Sequence, residues 1–359
     1  MRMGEISATQ ESAGGKRRLT LRDVAHEAGV SLKTASNVIN GSGRMADSTR
    51  AKVEKVIRDM GYRVNVAARN LSRDRTGFIT LAVPSLTPPY LAELANRTID
   101  AARQRGYSVY VTTYAEGSAR GAREVLRSFN STVSDGMILS LGEVDDVTPE
   151  DLEVDFPLVA VGARSTWGKA DHVTPDDVQA AASASAYLFD HGSRSLAVVG
   201  AREPFDEGAL LESVEGNAQL RLRGVIEESR RRGAVLDPRL VVLTGRDWTI
   251  GAGARAAQKL VDSGIPFDGI VALNDQLAIG VLSVLRASGL RVPDDVQVIG
   301  FDNIEESAYL QIPLTTMDSR LDWTAPTAVG RILGRIQGDA AEPKLLTTPS
   351  SVIVRSSTR

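Results

Sequence analysis

Between Lys16 and Arg75 the chain carries 14 lysines and arginines against 6 aspartates and glutamates, whereas all 359 residues together sum to a net charge of −3. Residues 1–15 hold one arginine and two glutamates, which leaves 27 basic and 37 acidic residues for the rest. A basic stretch beside an acidic body is expected where one part touches polyanionic phosphate and the other does not. Other chemistry is thinly represented. His26, His172 and His191 are scattered rather than spaced as metal ligands, and without cysteine there is no disulfide and no thiolate metal site. The paired carboxylates Asp176/Asp177 and Asp294/Asp295 read as helix-start or turn residues, and no spacing singles out an acid–base couple. There is no Gly-x-Gly-x-x-Gly opening a helix after the first strand, no phosphate loop and no Gly-x-Ser-x-Gly elbow. The expectation is a protein that binds and does not catalyse, with no cofactor and no metal.

The basic stretch has the pattern of a helix-turn-helix. Thr20 can cap a first helix, with Asp23 bonding back as in a capping box, and Leu21, Val24, Ala25 and Ala28 share one face. Gly29 breaks that helix and Val30 turns inward. Ser31 can cap a second helix with Ala35, Val38 and Ile39 on its buried side. A third helix carries Val53, Val56, Ile57 and Met60 and stops at Gly61. Residues 1–19 read as a disordered arm and 20–64 as the headpiece. Asn65 can cap a short helix, VAARNL, too short to be stable alone, and 65–76 reads as hinge and linker.

From Gly77 strands alternate with helices. Strands are expected at 78–83, 107–112, 136–139, 158–161, 196–199, 240–243, 269–273 and 296–300. Helices are expected at about 89–105, 118–130, 176–191, 216–232, 250–263 and 276–288. This means parallel sheets with helices on both faces. At about 280 residues it is too long for one sheet, so residues 77–359 are expected to form two doubly wound lobes with a ligand cleft beyond the carboxyl ends of the strands. No apolar run approaches the roughly 20 residues of a membrane span, and the first 19 residues lack the apolar core of a signal peptide; a cytoplasmic, nucleoid-associated protein is expected.

Several motifs carry a resemblance: TLRDVAHEAGVS, NVAARNL, TPPYLAEL, ALNDQLAIGVLSVLRASGLRVPDDVQVIGFDN and PLTTMDSRLD. Together they resemble the LacI-type bacterial repressors from about residue 20 to residue 357. The resemblance implies α plus α/β architecture: a helix-turn-helix headpiece, a hinge helix and two periplasmic-binding-protein-like lobes. It implies base reading by Leu32, Lys33 and Asn37, with Thr20, Thr34, Ser36 and Asn40 as further DNA contacts. It also implies a hinge helix whose Asn65, Ala68, Arg69 and Leu71 meet the minor groove, Leu71 as a wedge. The chemistry is suitable: Lys can donate to guanine, Asn can pair adenine and Leu can touch a thymine methyl. For the body it implies a small effector, a sugar or sugar derivative, held by Tyr90, Leu91, Arg221, Trp248, Asn274, Asp275 and Asp302.

The implied partners are a pseudo-palindromic double-stranded operator, a second copy of the chain and the effector, with no membrane. The implied function is repression of carbohydrate-utilisation genes, relieved by the effector. Two alternatives stay open at this point: the same fold governed as a corepressor or activator system by a non-sugar or protein ligand, and a solute-binding protein, which shares the lobes but requires export.

Overall fold

The computed structural model describes residues 19–39, 43–62, 75–115, 121–142 and 147–359, in two units that divide between Asp74 and Arg75. In the first unit Thr20 and Asp23 form the expected capping box: the Asp23 amide donates to the Thr20 hydroxyl at 3.3 Å, and the Thr20 amide donates to the Asp23 carboxylate at 2.7 Å. Helix α1 (Leu21–Glu27) follows, and Gly29 turns the chain at φ +62°. Ser31 accepts from the Thr34 amide at 3.0 Å and so starts α2 (Leu32–Ile39). Helix α3 (Asp47–Met60) ends at Gly61, also left-handed. Val24, Ala28, Val38 and Val53 make the centre, with Val30, Val56, Ile57 and Met60 against them. The apolar stripe expected from spacing is the one that packs.

The second unit contains two six-stranded sheets. The first, in the order β11-β5-β4-β3-β1-β2, is parallel throughout: β1 (Phe78–Val83), β2 (Ser108–Thr113), β3 (Met137–Ser140), β4 (Leu158–Val161), β5 (Asp171–Pro175) and β11 (Leu345–Thr348). The second runs β12-β10-β9-β8-β6-β7, from β6 (Leu196–Ala201), β7 (Val241–Leu243), β8 (Gly269–Ala272), β9 (Gln297–Asp302), β10 (Thr315–Asp318) and β12 (Val352–Ile353); only β12 is antiparallel to its neighbour.

Helices α4 (Pro89–Arg103) and α5 (Ala122–Arg127) belong to the first lobe. In the second lobe lie α6 (Asp177–Asp190), α7 (Glu207–Glu212), α8 (Asn217–Arg231), α9 (Ile250–Ser263) and α10 (Asp275–Ala287). Each sheet has an apolar cluster on either face, as a parallel sheet requires. Gly253 and Gly280 let α9 and α10 approach closely: a Cβ at either would lie 2.1 Å from a carbonyl oxygen of the other helix.

The sequence series stopped at 296–300, and the structure adds what it missed. Helix α11 (Leu321–Ile336) returns to the first lobe, where Ala325, Ala328, Val329 and Ile332 pack with Ile79 and Leu81. Pro326 lies inside it and masks the helical signal by removing a backbone donor. Strands β5, β10, β11 and β12 were also not foreseen; DHVTP and LLTT lack apolar alternation. The chain therefore crosses between lobes three times: from β5 to α6, from β10 to α11, and from β11 to β12. Among the described residues no helix is long and apolar enough to cross a membrane.

Candidate functional site

In the first unit α2 presents Leu32, 47% exposed, together with an exposed Lys33. The Thr34 hydroxyl lies 2.8 Å from that of Ser31, Ser36 is half-buried, and Thr20 is engaged in its capping box. Asn37 is half-buried because its side-chain amide sits against Gly43, so closely that a Cβ on Gly43 would be 2.7 Å from Nδ2. Leu32 and Lys33 thus stand clear of the three-helix core on the helix that was expected to read bases. Asn40, Asn65, Ala68, Arg69 and Leu71 lie outside the described residues.

In the second unit the carboxyl ends of the parallel strands surround a cavity of about 310 Å³. The first lobe supplies Tyr90 and Leu91 from the start of α4, with Ser140 and Gly162 from the ends of β3 and β4. The second supplies Asn217 and Arg221 from α8, Trp248 from the turn before α9, Asn274 after β8 and Asp302 at the end of β9. Sequence reasoning had named Tyr90, Leu91, Arg221, Trp248, Asn274 and Asp302, and all six meet here although 212 residues of chain separate the first from the last.

Arg221, Trp248 and Asn274 are braced by bonds to the protein. The Arg221 guanidinium lies 4.6 Å from the Phe301 ring centroid and 5.8 Å from that of Trp248. Its Nε donates to Asp177 Oδ1 at 2.7 Å and its Nη1 to the Leu273 carbonyl. Trp248 donates from its indole to the Gly200 carbonyl at 3.1 Å, which holds the ring upright. Asn274 does two things: its oxygen caps α10 by accepting from the Leu277 amide at 2.8 Å, and its nitrogen donates to the Trp248 carbonyl at 3.1 Å.

Asp302 has φ +103° and the next residue, Asn303, φ +52°, backbone conformations that non-glycine residues seldom adopt. The Ser319 hydroxyl donates to the Asp302 carbonyl at 2.9 Å, and the Asn303 side chain accepts from Arg355 at 2.6 Å. These bonds hold the strained turn that aims the Asp302 carboxyl at the cavity. Burial is the main cause that pushes this carboxyl up to about 6, with Arg221 opposing and Asp177 assisting.

One expectation needs correction. Asp275 was expected to touch the ligand, but it is 1% exposed and stands behind the wall. One of its oxygens accepts from Thr316 at 2.6 Å, the other from the Ile304 amide at 3.0 Å and the Ser307 hydroxyl at 2.7 Å. Its full hydrogen-bond shell pins the turn after Asp302. Asp177 is, as read, a helix-start residue, the first of α6 after the cap Asp176, but it does more than start the helix. Asp177 is buried and holds Arg221 and, at 3.2 Å, the Asn217 amide. Asn217 and Gln276 on the wall were also missed, because neither carries a sequence signal that sets it apart from an ordinary helix residue. Among the described residues no group of three histidine, aspartate or glutamate side chains is placed to hold a metal ion.

The chain matches known proteins over both units. The model described as "Bacterial regulatory proteins, lacI family" covers residues 20–65, and a "Periplasmic binding protein-like domain" model covers 185–358. The HTH-type transcriptional regulator CelR of Thermobifida fusca is 30% identical over 352 residues, 95% of this chain and 99% of that one. Among solved structures, a transcriptional regulator CelR–cellobiose complex is 27% identical with TM-score 0.69, covering 95% of this chain and all of that one. The lac repressor dimer bound to operator and the anti-inducer ONPF is 25% identical with TM-score 0.82, covering 95% and 99%. With a helix-turn-helix head, two parallel-sheet lobes and a relative of this identity along nearly its whole length, the chain belongs to the lacI family of bacterial regulatory proteins and is a DNA-binding transcriptional regulator.

Proposed function

We propose that this regulator is a cytoplasmic repressor whose hold on its operator is relieved by a sugar-like effector bound between the lobes, and that it has no catalytic activity. The observation that carries the reading is the wall of the cavity: an indole beside a guanidinium and two amides, fixed by bonds to the protein, with a carboxyl on a strained turn. A sugar offers an apolar C–H face and a ring of hydroxyls, and this wall has a partner for each. A similar solved structure is a CelR regulator in complex with cellobiose, which supports the class of ligand. In this reading Tyr90, Leu91, Arg221, Trp248, Asn274 and Asp302 hold the effector, while Asp275 supports the turn beneath it.

Leu32 and Lys33, clear of the core on α2, read base edges, with Asn37, Thr34, Ser36 and Thr20 beside them; Asn40 and the segment with Asn65, Ala68, Arg69 and Leu71 complete the DNA contacts. The protein acts as a homodimer, whose two-fold symmetry suits a pseudo-palindromic operator. Because α11 and two strand connections tie the lobes together, a ligand that changes the lobes' arrangement changes what the hinge segments receive. Linkage then requires operator DNA to weaken effector binding by the same factor that effector weakens operator binding.

A thermal-shift screen of the purified protein against mono- and disaccharides and their derivatives identifies the effector, since binding to the folded state raises the melting temperature. A gel-shift titration with the hit then decides its sense. Loss of the shifted band supports induction; a stronger band replaces it with corepression. A screen in which no sugar stabilises the protein overturns the sugar reading.

A further inference from the structure

The inner end of the cavity carries an unequal set of charges. Arg221 is its cation, and that cation is already engaged: Nε on Asp177 at 2.7 Å and Nη1 on the Leu273 carbonyl. Asp177 is 5% exposed and spends its second oxygen on Asn217. Asp302 is then a second carboxyl with no cation of its own; Arg221 Nη1 lies 3.9 Å from its Oδ1, beyond hydrogen-bonding distance. Asp275 is a third carboxyl behind the wall, held by Thr316, Ser307 and the Ile304 amide. The Tyr90 hydroxyl registers the balance. Burial raises its pKa most, and Asp302 and Asp177 raise it further against the opposing pull of Arg221.

A guanidinium receives a phosphate or carboxylate best through its open fork, in a bidentate, charge-assisted pair. Here Asp177 takes the Nε hydrogen and already neutralises the cation, and a backbone carbonyl takes one of the Nη1 hydrogens. Any anionic group reaching the inner end would meet Asp302 and Asp177 with one shared cation between them, a like-charge juxtaposition that selects against it. Hydroxyls fare differently, since they donate to the open oxygens of Asp302. Arg246 also borders the cavity, but it is exposed, where water and salt screen its charge.

We propose that the cavity selects uncharged, hydroxyl-rich ligands and rejects anionic ones such as sugar phosphates and uronates, because Asp177 occupies the cation that would otherwise receive the anion. The inference rests on the sugar reading above and narrows it. It also gives Asp177 a role in specificity that its place at a helix start conceals.

Calorimetric titration of the full chain tests it, with glucose set beside glucose 6-phosphate and glucuronate, ribose beside ribose 5-phosphate, and cellobiose beside its 6′-phosphate. The expected result is that a neutral sugar binds and its anionic counterparts bind at least about tenfold more weakly. In Asp177→Asn the released Arg221 should shrink that ratio by about tenfold or more. Anionic counterparts that bind as tightly as the neutral sugar overturn the charge inference and leave the sugar reading standing. An unchanged ratio in Asp177→Asn also overturns it. If no sugar of either kind binds, both readings fall. Should Asp177→Asn fail to fold, Asp302→Asn removes the second carboxylate and keeps the Asp177–Arg221 pair; the same ratio must shrink there, and a constant ratio rejects the proposal.

Discussion

Arg164 of the first lobe and Glu215 of the second meet at 2.5 Å beside the cavity, with the arginine side chain only 7% exposed. Around them the Ser165 amide donates to Glu215 at 3.3 Å, the Gly216 amide to the Ala163 carbonyl at 3.0 Å, and the Asn217 amide to the Gly142 carbonyl at 3.2 Å. The start of α8 is thus clasped by the loops after β3 and β4, using protein atoms alone. Gly162 makes the clasp possible: at φ +103°, a Cβ there would sit 2.4 Å from the Leu141 carbonyl oxygen. Glu215→Ala leaves the Arg164 charge buried and without its carboxylate, and should cost about 3 kcal/mol in urea denaturation. The double change Arg164→Met with Glu215→Leu should cost clearly less, since no charge is stranded. Equal losses in the two variants would refute the clasp.

Trp248 is expected to matter for ligand more than for fold. It is half-buried, joined to Gly200 through its indole and to Asn274 through its carbonyl. Trp248→Ala should weaken binding of the sugar found by screening at least about tenfold, with a stability loss of about 2 to 3 kcal/mol. Trp248→Phe keeps an aromatic face and loses only the bond to Gly200, so titration calorimetry should show a smaller loss. A phenylalanine variant as impaired as the alanine one would deny the ring its role.

Asp275 gives the fold a pH dependence of known sign. Burial first, and Asp302 second, push its pKa up from 3.8 to about 7, against the bonds from Thr316, Ser307 and Ile304. The folded protein therefore holds a proton that the unfolded chain has released, and this contribution to stability, complete below about pH 4, fades as pH rises through 7. Between pH 5 and 8 the unaltered protein should lose on the order of 2 kcal/mol more than Asp275→Asn, by denaturation at each pH. Parallel pH profiles for the two proteins would contradict the shift.

Lys33 projects from α2 without support from the core, so Lys33→Ala should leave the melting temperature unchanged. Discrimination between operator and random DNA should fall by about 1 to 3 kcal/mol, the worth of one base contact, and sugar binding should persist. Gel shifts with both DNAs in one salt give the answer; intact discrimination would remove Lys33 from the readers.

What could be read from the chain alone was whatever depends on neighbours in sequence. The capping box of Thr20 and Asp23, the stripe of Val24, Ala28, Val38 and Val53, and the strand at 78–83 all follow from spacing within a few residues, and each forms as expected. The helix end marked by Gly61 was legible for the same reason, because a left-handed residue closes a helix wherever the helix packs. The six wall residues named in advance came from a resemblance to a family, and the fold then showed that they converge on one cavity.

Only the tertiary structure separated Asp275 from Asp302 and Asp177 from Asp176. In sequence these are interchangeable acidic residues at element ends. In space one is sealed among hydroxyls, one is aimed at the cavity by a strained turn, one neutralises a buried arginine and one caps a helix. Helix α11 was hidden in the same way, since Pro326 weakens its local signal and packing against the first sheet restores it. Local propensity writes the elements, but a carboxylate's chemistry is set by the charges, donors and water around it, and those arrive only when distant parts of the chain meet.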